Sequence, residues 1–298
     1  MVFLLDFSIK AAEEAALPAC FAMLPSIASP NAELFVARDE EGKLLGAGGM
    51  LWRGWSSPSG FPVAIHVLPD SRRRGVGRAL LAALQERARG ETDRLWAVEA
   101  LEEGSEAAVF LEACDFVTSK RQILFEADAA TFLGHMQSLI ARMRSRKRIP
   151  DEVTSVPLAE APLREVARLV AIEFRAGPPN IYRMLEQSRD MDPELAPVSF
   201  VHSRALMIDG ALAGALLLEW KDGAPAIIVN VVAPEWRRGW VNALLLTETT
   251  QANVDRGMER FFFDCSEDNL DTMGLATRGE AKRRKTQVSY YYAVASAP

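Results

Sequence analysis

The run Ile65-His66-Val67-Leu68-Pro69-Asp70-Ser71-Arg72-Arg73-Arg74-Gly75-Val76-Gly77-Arg78-Ala79-Leu80-Leu81 has the residue types of an anion site. An apolar, β-rich stretch ends at Pro69, three arginines and two closely spaced glycines follow, and the pattern then turns helical. Glycines admit backbone N–H groups to a ligand with no Cβ in the way. The first turn of a helix adds unpaired donors and the positive end of its dipole. Arginines clamp phosphate oxygens through paired hydrogen bonds. The chemistry expected is diphosphate binding at the end of a strand.

Spacing excludes two common phosphate loops. No Gly-x-x-x-x-Gly-Lys-Ser/Thr string exists in the chain, and a dinucleotide fingerprint would need a third glycine. Val67-Leu68-Pro69 followed by Arg72-x-x-Gly75-x-Gly77 instead resembles the signature of the GNAT acetyltransferases, Arg/Gln-x-x-Gly-x-Gly/Ala after a Val-x-Pro strand end. Ala107 to Phe116 is similar to that family's last helix, Ala-x-x-Leu-Tyr-Glu-x-x-Gly-Phe. The resemblance implies that Arg72, Arg73, Arg74, Gly75, Val76, Gly77 and Arg78 hold the pyrophosphate of acetyl-coenzyme A as co-substrate. It implies that backbone N–H groups at Val67 and Leu68 take the pantetheine arm and the thioester carbonyl. The activity implied is N-acetyl transfer to a primary amine of a small molecule or peptide, by direct attack in a ternary complex. A non-catalytic acyl-coenzyme A-binding regulatory or interaction module would carry the same loop and is the alternative.

Acetyl transfer to an amine needs a base for the ammonium proton and donors for the developing oxyanion. His66 is the first candidate, because imidazole titrates near neutrality and the residue lies on the cofactor strand. Strand alternation decides whether it reaches the cleft or is an ordinary strand histidine. Glu99, at the end of the next strand, is the second candidate, acting through a water. A solvated carboxylate is its other reading. Where the family has a thiolate-protonating tyrosine this chain has Leu111, and the corresponding place in the second half is Ala276. Tyr290, Tyr291 and Tyr292 read as strand residues, one of which could line a cleft. Trp52 and Trp55 either line the acceptor pocket or anchor a buried loop.

The elements around these residues occur twice. Hairpin, strand, phosphate loop, helix, strand, helix and strand run from Leu34 to Glu126. A similar order runs from Val198 to Val294, with the turn dipeptide Asp209-Gly210 in its hairpin. The fold class expected is α/β, two GNAT-type domains, each a mixed central sheet flanked by helices. Residues 1–127 form the domain with the intact loop, 128–150 a connecting helix, and 151–298 a degenerate second domain. In the second loop Trp236 is read at the place of the first Arg/Gln, Arg237, Arg238 and Gly239 as kept, and Val241 at the second glycine. The basic run Arg142 to Arg148 is a nucleic-acid or membrane contact or, as favoured, the cationic end of the connecting helix.

Composition bounds the partners. With 298 residues the chain has room for two domains, and a net charge of −6 argues against general nucleic-acid binding. Three cysteines and three histidines, all scattered, do not make a disulfide framework or a metal site. Met1 to Leu5 lacks a basic flank and is followed by Asp6, so it reads as a strand rather than a signal peptide. The expectations are a cytoplasmic protein, no metal, no membrane and no nucleic acid, as a monomer or homodimer.

Overall fold

The computed structural model describes residues 6–51, 60–174, 177–237 and 239–294. Two compact units make up the chain, one of residues 1–121 with 286–298 and the other of residues 122–285. The expected aromatic loop at Trp52 and Trp55 lies outside the described residues, as does Arg238.

In the first unit the elements are β1 (Phe7–Ala11), α1 (Leu17–Met23), β2 (Ala32–Asp39), β3 (Leu44–Leu51), β4 (Phe61–Val67), α2 (Val76–Ala88), β5 (Arg94–Ala97), β6 (Leu101–Glu102) and α3 (Glu106–Glu112). Strands β1 to β4 form an antiparallel meander, and β5 then joins β4 in parallel. A parallel neighbour requires a crossover, and α2 supplies it. One face of this sheet is buried under α2 and α3 through Val63, Leu81, Leu84, Leu95 and Leu111. The other packs on α1 through Leu34, Val36, Ala47, Cys20 and Leu24. Strand alternation sends successive β4 side chains to these two faces.

Strand β7 (Val117–Asp128) leads out of the first unit. The second then contains α4 (Ala129–Ser145), β8 (Val153–Pro157), α5 (Leu163–Phe174), α6 (Pro178–Arg189), β9 (Arg204–Ile208), β10 (Ala211–Lys221), β11 (Ala224–Val232), α7 (Val241–Val254), β12 (Arg260–Ser266) and α8 (Leu270–Arg278). Here too an antiparallel run, β8 to β11, is followed by a parallel partner, β12. Helix α6 is absent from the sequence reading. Pro178 and Pro179 look like breakers, yet proline at the first helical position starts a helix.

The closing strands are exchanged. Residues 122–128 of β7 pair antiparallel with β12, from Gln122 opposite Ser266 to Asp128 opposite Arg260. The last strand, β13 (Lys282–Ala293), pairs with β5 and β6, placing Tyr291 opposite Trp96 and Val288 opposite Leu101. These units differ from the expected boundaries of 1–127, 128–150 and 151–298, and side chains give the reason. Ile123, Phe125 and Ala127 fill the core that holds Phe261 and Phe263, with the Phe125 and Phe263 rings stacked at 5.3 Å. Val288 and Tyr290 fill the core under α2 and α3. Helix α4 is likewise no free linker, because Phe132, Met136 and Ile140 are buried in the same core as Phe261. Its N-cap is Asp128, which accepts from Thr131 N–H at 2.8 Å, and its last turn carries Arg142 and Arg144 at the negative dipole end.

Candidate functional site

Strand β4 pairs with β5 only from Phe61–Leu95 to Val63–Ala97, and the contact ends where Val98 N–H donates to Val63 O at 3.0 Å. Beyond that apex the two strands part. On its other edge β4 stays paired with β3 through Gly46–Val67. In an antiparallel ladder the backbone groups of alternate residues point to opposite edges. Because Val63 O faces β5, the N–H and C=O of Ile65 and the N–H of Val67 face the opened side. The cleft therefore has a wall of backbone donors and acceptors. Leu68 is different from its sequence reading. Its N–H donates to Leu45 O at 2.9 Å and its carbonyl accepts from Ser71 N–H at 2.8 Å, so only Val67 of the expected pair offers a donor to the cleft.

At the end of β4 the chain makes a single 3-10 turn, Pro69–Ser71, and then the loop. Arg73 and Gly75 are both left-handed, with φ of 62° and 86°. Left-handed residues in such a turn curl successive N–H groups toward one point and form an anion-binding nest. Gly75 is the N-cap of α2, and no side chain caps that helix. Side chains cap α3 by Ser105, α4 by Asp128 and α8 by Asn269, whereas α1, α6 and α7 share with α2 the lack of a side-chain cap. What sets α2 apart is its left-handed glycine N-cap, with the positive end of the dipole behind the first N–H groups.

Gly77 has another task. A Cβ there would lie 3.3 Å from the Phe110 ring and 3.4 Å from Val67 Cγ2, so its bare backbone seats α2 against α3 and β4. Arg72 Nε donates to Val67 O at 3.3 Å and its Nη1 meets Glu106 Oε2 at 3.3 Å. This pair is solvent-exposed, 49% and 90% at the side chains, and contributes well under about 1 kcal/mol. Arg78 Nη2 reaches Ala113 O at 3.4 Å, fastening α2 to the end of α3. Arg73 and Arg74 are exposed.

His66 is half-buried on β4, opposite Ala47. Its side chain shares the α1 face with Ala64, whereas Ile65 and Val67 pack toward α2. Glu99 is exposed in the bend after β5. Strand order thus puts the two candidates on neighbouring elements at the opened side, with no hydrogen bond between them. Leu111 is buried beside Tyr290, a residue of the last strand. Tyr290 donates its hydroxyl to Glu112 Oε1 at 2.7 Å, and burial together with that carboxylate pushes the phenol up to about 12. It is 1% exposed and belongs to the core, not to the cleft.

The second loop repeats the backbone route with other residues. Its 3-10 turn is Pro234–Trp236, and Arg237 Nε donates to Val232 O at 3.3 Å, the same bond that Arg72 makes to Val67 O. Gly214 presses on β11, where a Cβ would meet Val231 O at 2.8 Å, as Gly46 presses on β4, where it would meet His66 O at 2.7 Å. These matches correct the sequence register by one residue. Arg237, not Trp236, is the counterpart of Arg72, so Trp240 stands for Gly75 and Asn242 for Gly77. Trp240 is right-handed, with φ of −74°, and its indole is 8% exposed in the core, 6.0 Å from the Trp236 ring. Asn242 accepts from Asn230 at 2.6 Å. The left-handed N-cap is gone.

Among the described residues no group of His, Cys, Asp or Glu is arranged to hold a metal, and no helix is long and apolar enough to cross a membrane. The sequence profile of the acetyltransferase (GNAT) domain matches residues 30–118. A search of curated proteins found no match. Among solved structures the chain is similar to a tandem GNAT protein from the clavulanic acid biosynthesis pathway, at 17% identity over 98% of this chain and 100% of that one, with a TM-score of 0.57. It is similar to a GCN5-related N-acetyltransferase from Sphaerobacter thermophilus, at 15% identity over 98% and 97% of the two chains and a TM-score of 0.56. A third similar structure, a probable N-acyltransferase from Enterococcus faecalis V583, has 11% identity over 97% of this chain and 72% of that one, with a TM-score of 0.61. Residues 30–118 match the acetyltransferase (GNAT) domain profile, and the whole chain has the fold of the tandem GNAT proteins.

Proposed function

We propose that the first unit is an N-acetyltransferase that moves acetyl from acetyl-coenzyme A to a primary amine of a small molecule or peptide, by direct attack in a ternary complex. The observation that carries this reading is the uncapped N-terminus of α2 beside the opened edge of β4. The nest from Arg72 to Arg78 suits the pyrophosphate, with Arg73 and Arg74 free to meet phosphate oxygens from solvent. Val67 N–H and the Ile65 backbone suit the amides of the pantetheine arm. A thioester lying along that edge ends near the apex at Val63 and Val98.

Before attack the ammonium must lose a proton. His66 takes it directly, or Glu99 takes it through a water. A backbone donor on β4 stabilises the oxyanion as the amine nitrogen bonds to the acetyl carbon and the carbon–sulfur bond breaks. The thiolate leaves without a phenol from α3, which is tolerable because thiols ionise near pH 8.5. The second unit keeps the fold without a coenzyme A site.

Leu111 and the core position of Tyr290 favour one second reading, a module that binds acyl-coenzyme A without turnover. Thiol release from acetyl-coenzyme A across a panel of amines separates the two. Release that depends on an amine and is lost in the double variant His66→Gln/Glu99→Gln supports catalysis. Tight binding with no release for any amine defeats it.

A further inference from the structure

The second unit has a small cavity at the C-terminal half of α7, the opposite end of that helix from the second loop. Leu216 and Leu218 of β10 and Phe261 of β12 line it from the sheet, and Thr249, Thr250 and Asn253 line it from the helix. The space swept by the centre of a water molecule is about 10 Å³, the size of a single-water site. Its apolar walls come from the same core cluster that holds Leu245 and Phe263. The three polar residues are therefore out of place unless something meets them. Thr249 is 1% exposed, and Thr250 and Asn253 are equally cut off from bulk solvent.

Helix threonines commonly spend their hydroxyl on the carbonyl four residues back, as Thr247 does on Ala243 O at 2.7 Å. Thr249 does not, and its buried Oγ1 has no partner among the described residues. Asn253 spends both Nδ2 hydrogens, donating to Thr249 O at 2.9 Å and to His202 O at 3.1 Å. Its Oδ1 therefore accepts from His202 Nδ1 at 2.5 Å, and a second lone pair of that oxygen is left over. We infer that this cavity is a built site for one water molecule. The water accepts from Thr249 Oγ1 and donates to Asn253 Oδ1 and to the Thr250 hydroxyl, three partners where a buried water needs two to four. Asn253 fastens α7 to the turn that carries His202, and the water holds that amide from its other side. This inference is independent of the acetyltransferase reading, and its readouts involve neither coenzyme A nor an amine.

Thr249→Val keeps the side-chain shape and removes only the hydroxyl, so the sign of its effect decides the matter. The control is Thr247→Val, the same exchange at a hydroxyl whose bond stays within α7. With a water in the cavity, Thr249→Val leaves that water short of a donor. The unfolding constant of the full chain, read by denaturant titration, then rises about tenfold relative to the control. With a dry cavity the same substitution removes an unpaired buried hydroxyl, and the variant is more stable than the control. A high-resolution crystal structure of the full chain gives the direct readout. The expected result is a density peak at hydrogen-bond distance, about 3 Å, from Thr249 Oγ1. A cavity without that peak overturns the proposal, and so does a Thr249→Val chain no less stable than Thr247→Val.

Discussion

Both units send a strand into a 3-10 turn, anchor an arginine on the strand's last carbonyl and restart as a helix with no side-chain cap, yet the two helix starts are built differently. Two positions make the difference. Gly75 is left-handed where Trp240 is right-handed, and Gly77 lets α2 approach Phe110 where Asn242 instead bonds to Asn230. The arginine and the proline, which look like ligand residues, are common to both loops and so serve the turn itself. On the proposed reading, what distinguishes the binding loop is the absence of side chains at these two positions. The second unit has used the same place to bury an indole.

The largest expected effect tests that last point. Trp240→Ala removes a core indole and lowers the stability of the second unit by about 3–5 kcal/mol in denaturant unfolding, without creating coenzyme A binding. A second site seen by calorimetry in that variant would break the contrast. In the other direction, Gly75→Trp with Gly77→Asn writes the second loop into the first. A left-handed position closed to the new side chain and a crowded helix start together weaken coenzyme A binding about 100-fold, while Arg72→Lys weakens it by less than about tenfold. Should the arginine variant prove the more damaging, the glycines are not what separates the loops.

A third comparison concerns acid. In the second unit His202 is buried on Trp220, with its Nδ1 2.5 Å from Asn253 Oδ1. Burial holds this imidazole below its ordinary value of 6.5, and the nearby Arg256 pushes it the same way. The unfolded chain therefore binds the proton more readily. Stability is full above about pH 6.5 and falls as pH drops below that value toward the folded one. Thermal unfolding of wild type and His202→Gln should diverge above pH 6.5 and converge below it. Parallel curves would remove His202 from the account. Smaller still is the cap of α4. Asp128→Ala lowers stability by about 1 kcal/mol, because Thr131 N–H loses its acceptor. The Thr131 bond also holds this carboxyl below its ordinary range, so the cap's contribution is present near neutrality and is lost as pH falls through that depressed value. The smallest is Glu106→Gln, under about 0.5 kcal/mol, since its partner Arg72 is half in water.

The loop from Val67 to Arg78 was legible in the sequence because its geometry is local: a strand end, a turn and a helix start each leave their mark within a few residues. The doubled order of elements was legible for the same reason. The register of the second loop was not. Arg-Arg-Gly draws the eye to Trp236, while the backbone is aligned by Pro234 and by the bond from Arg237 to Val232, which no string of letters displays. The exchanged strands were hidden too. Phe116 to Glu126 and Gln287 to Val294 carry similar apolar alternation, and only the fit of Phe125 on Phe263 and of Tyr290 beside Leu111 decides which sheet each completes. Leu68 is no donor to the cleft because Leu45 O takes its N–H, a pairing set by β3 more than twenty residues earlier and invisible in the local string.

The last strand has one more implication, for the order in which the molecule can be made. Residues 286–293 leave the ribosome after every residue of the second unit, yet they complete the core of the first. During synthesis the later-encoded unit is the first to hold all its parts, and the amino-terminal sheet waits with its β5 edge bare. That edge is a surface for mispairing in the interval, so a chaperone that shields exposed strands would act on the nascent amino-terminal half.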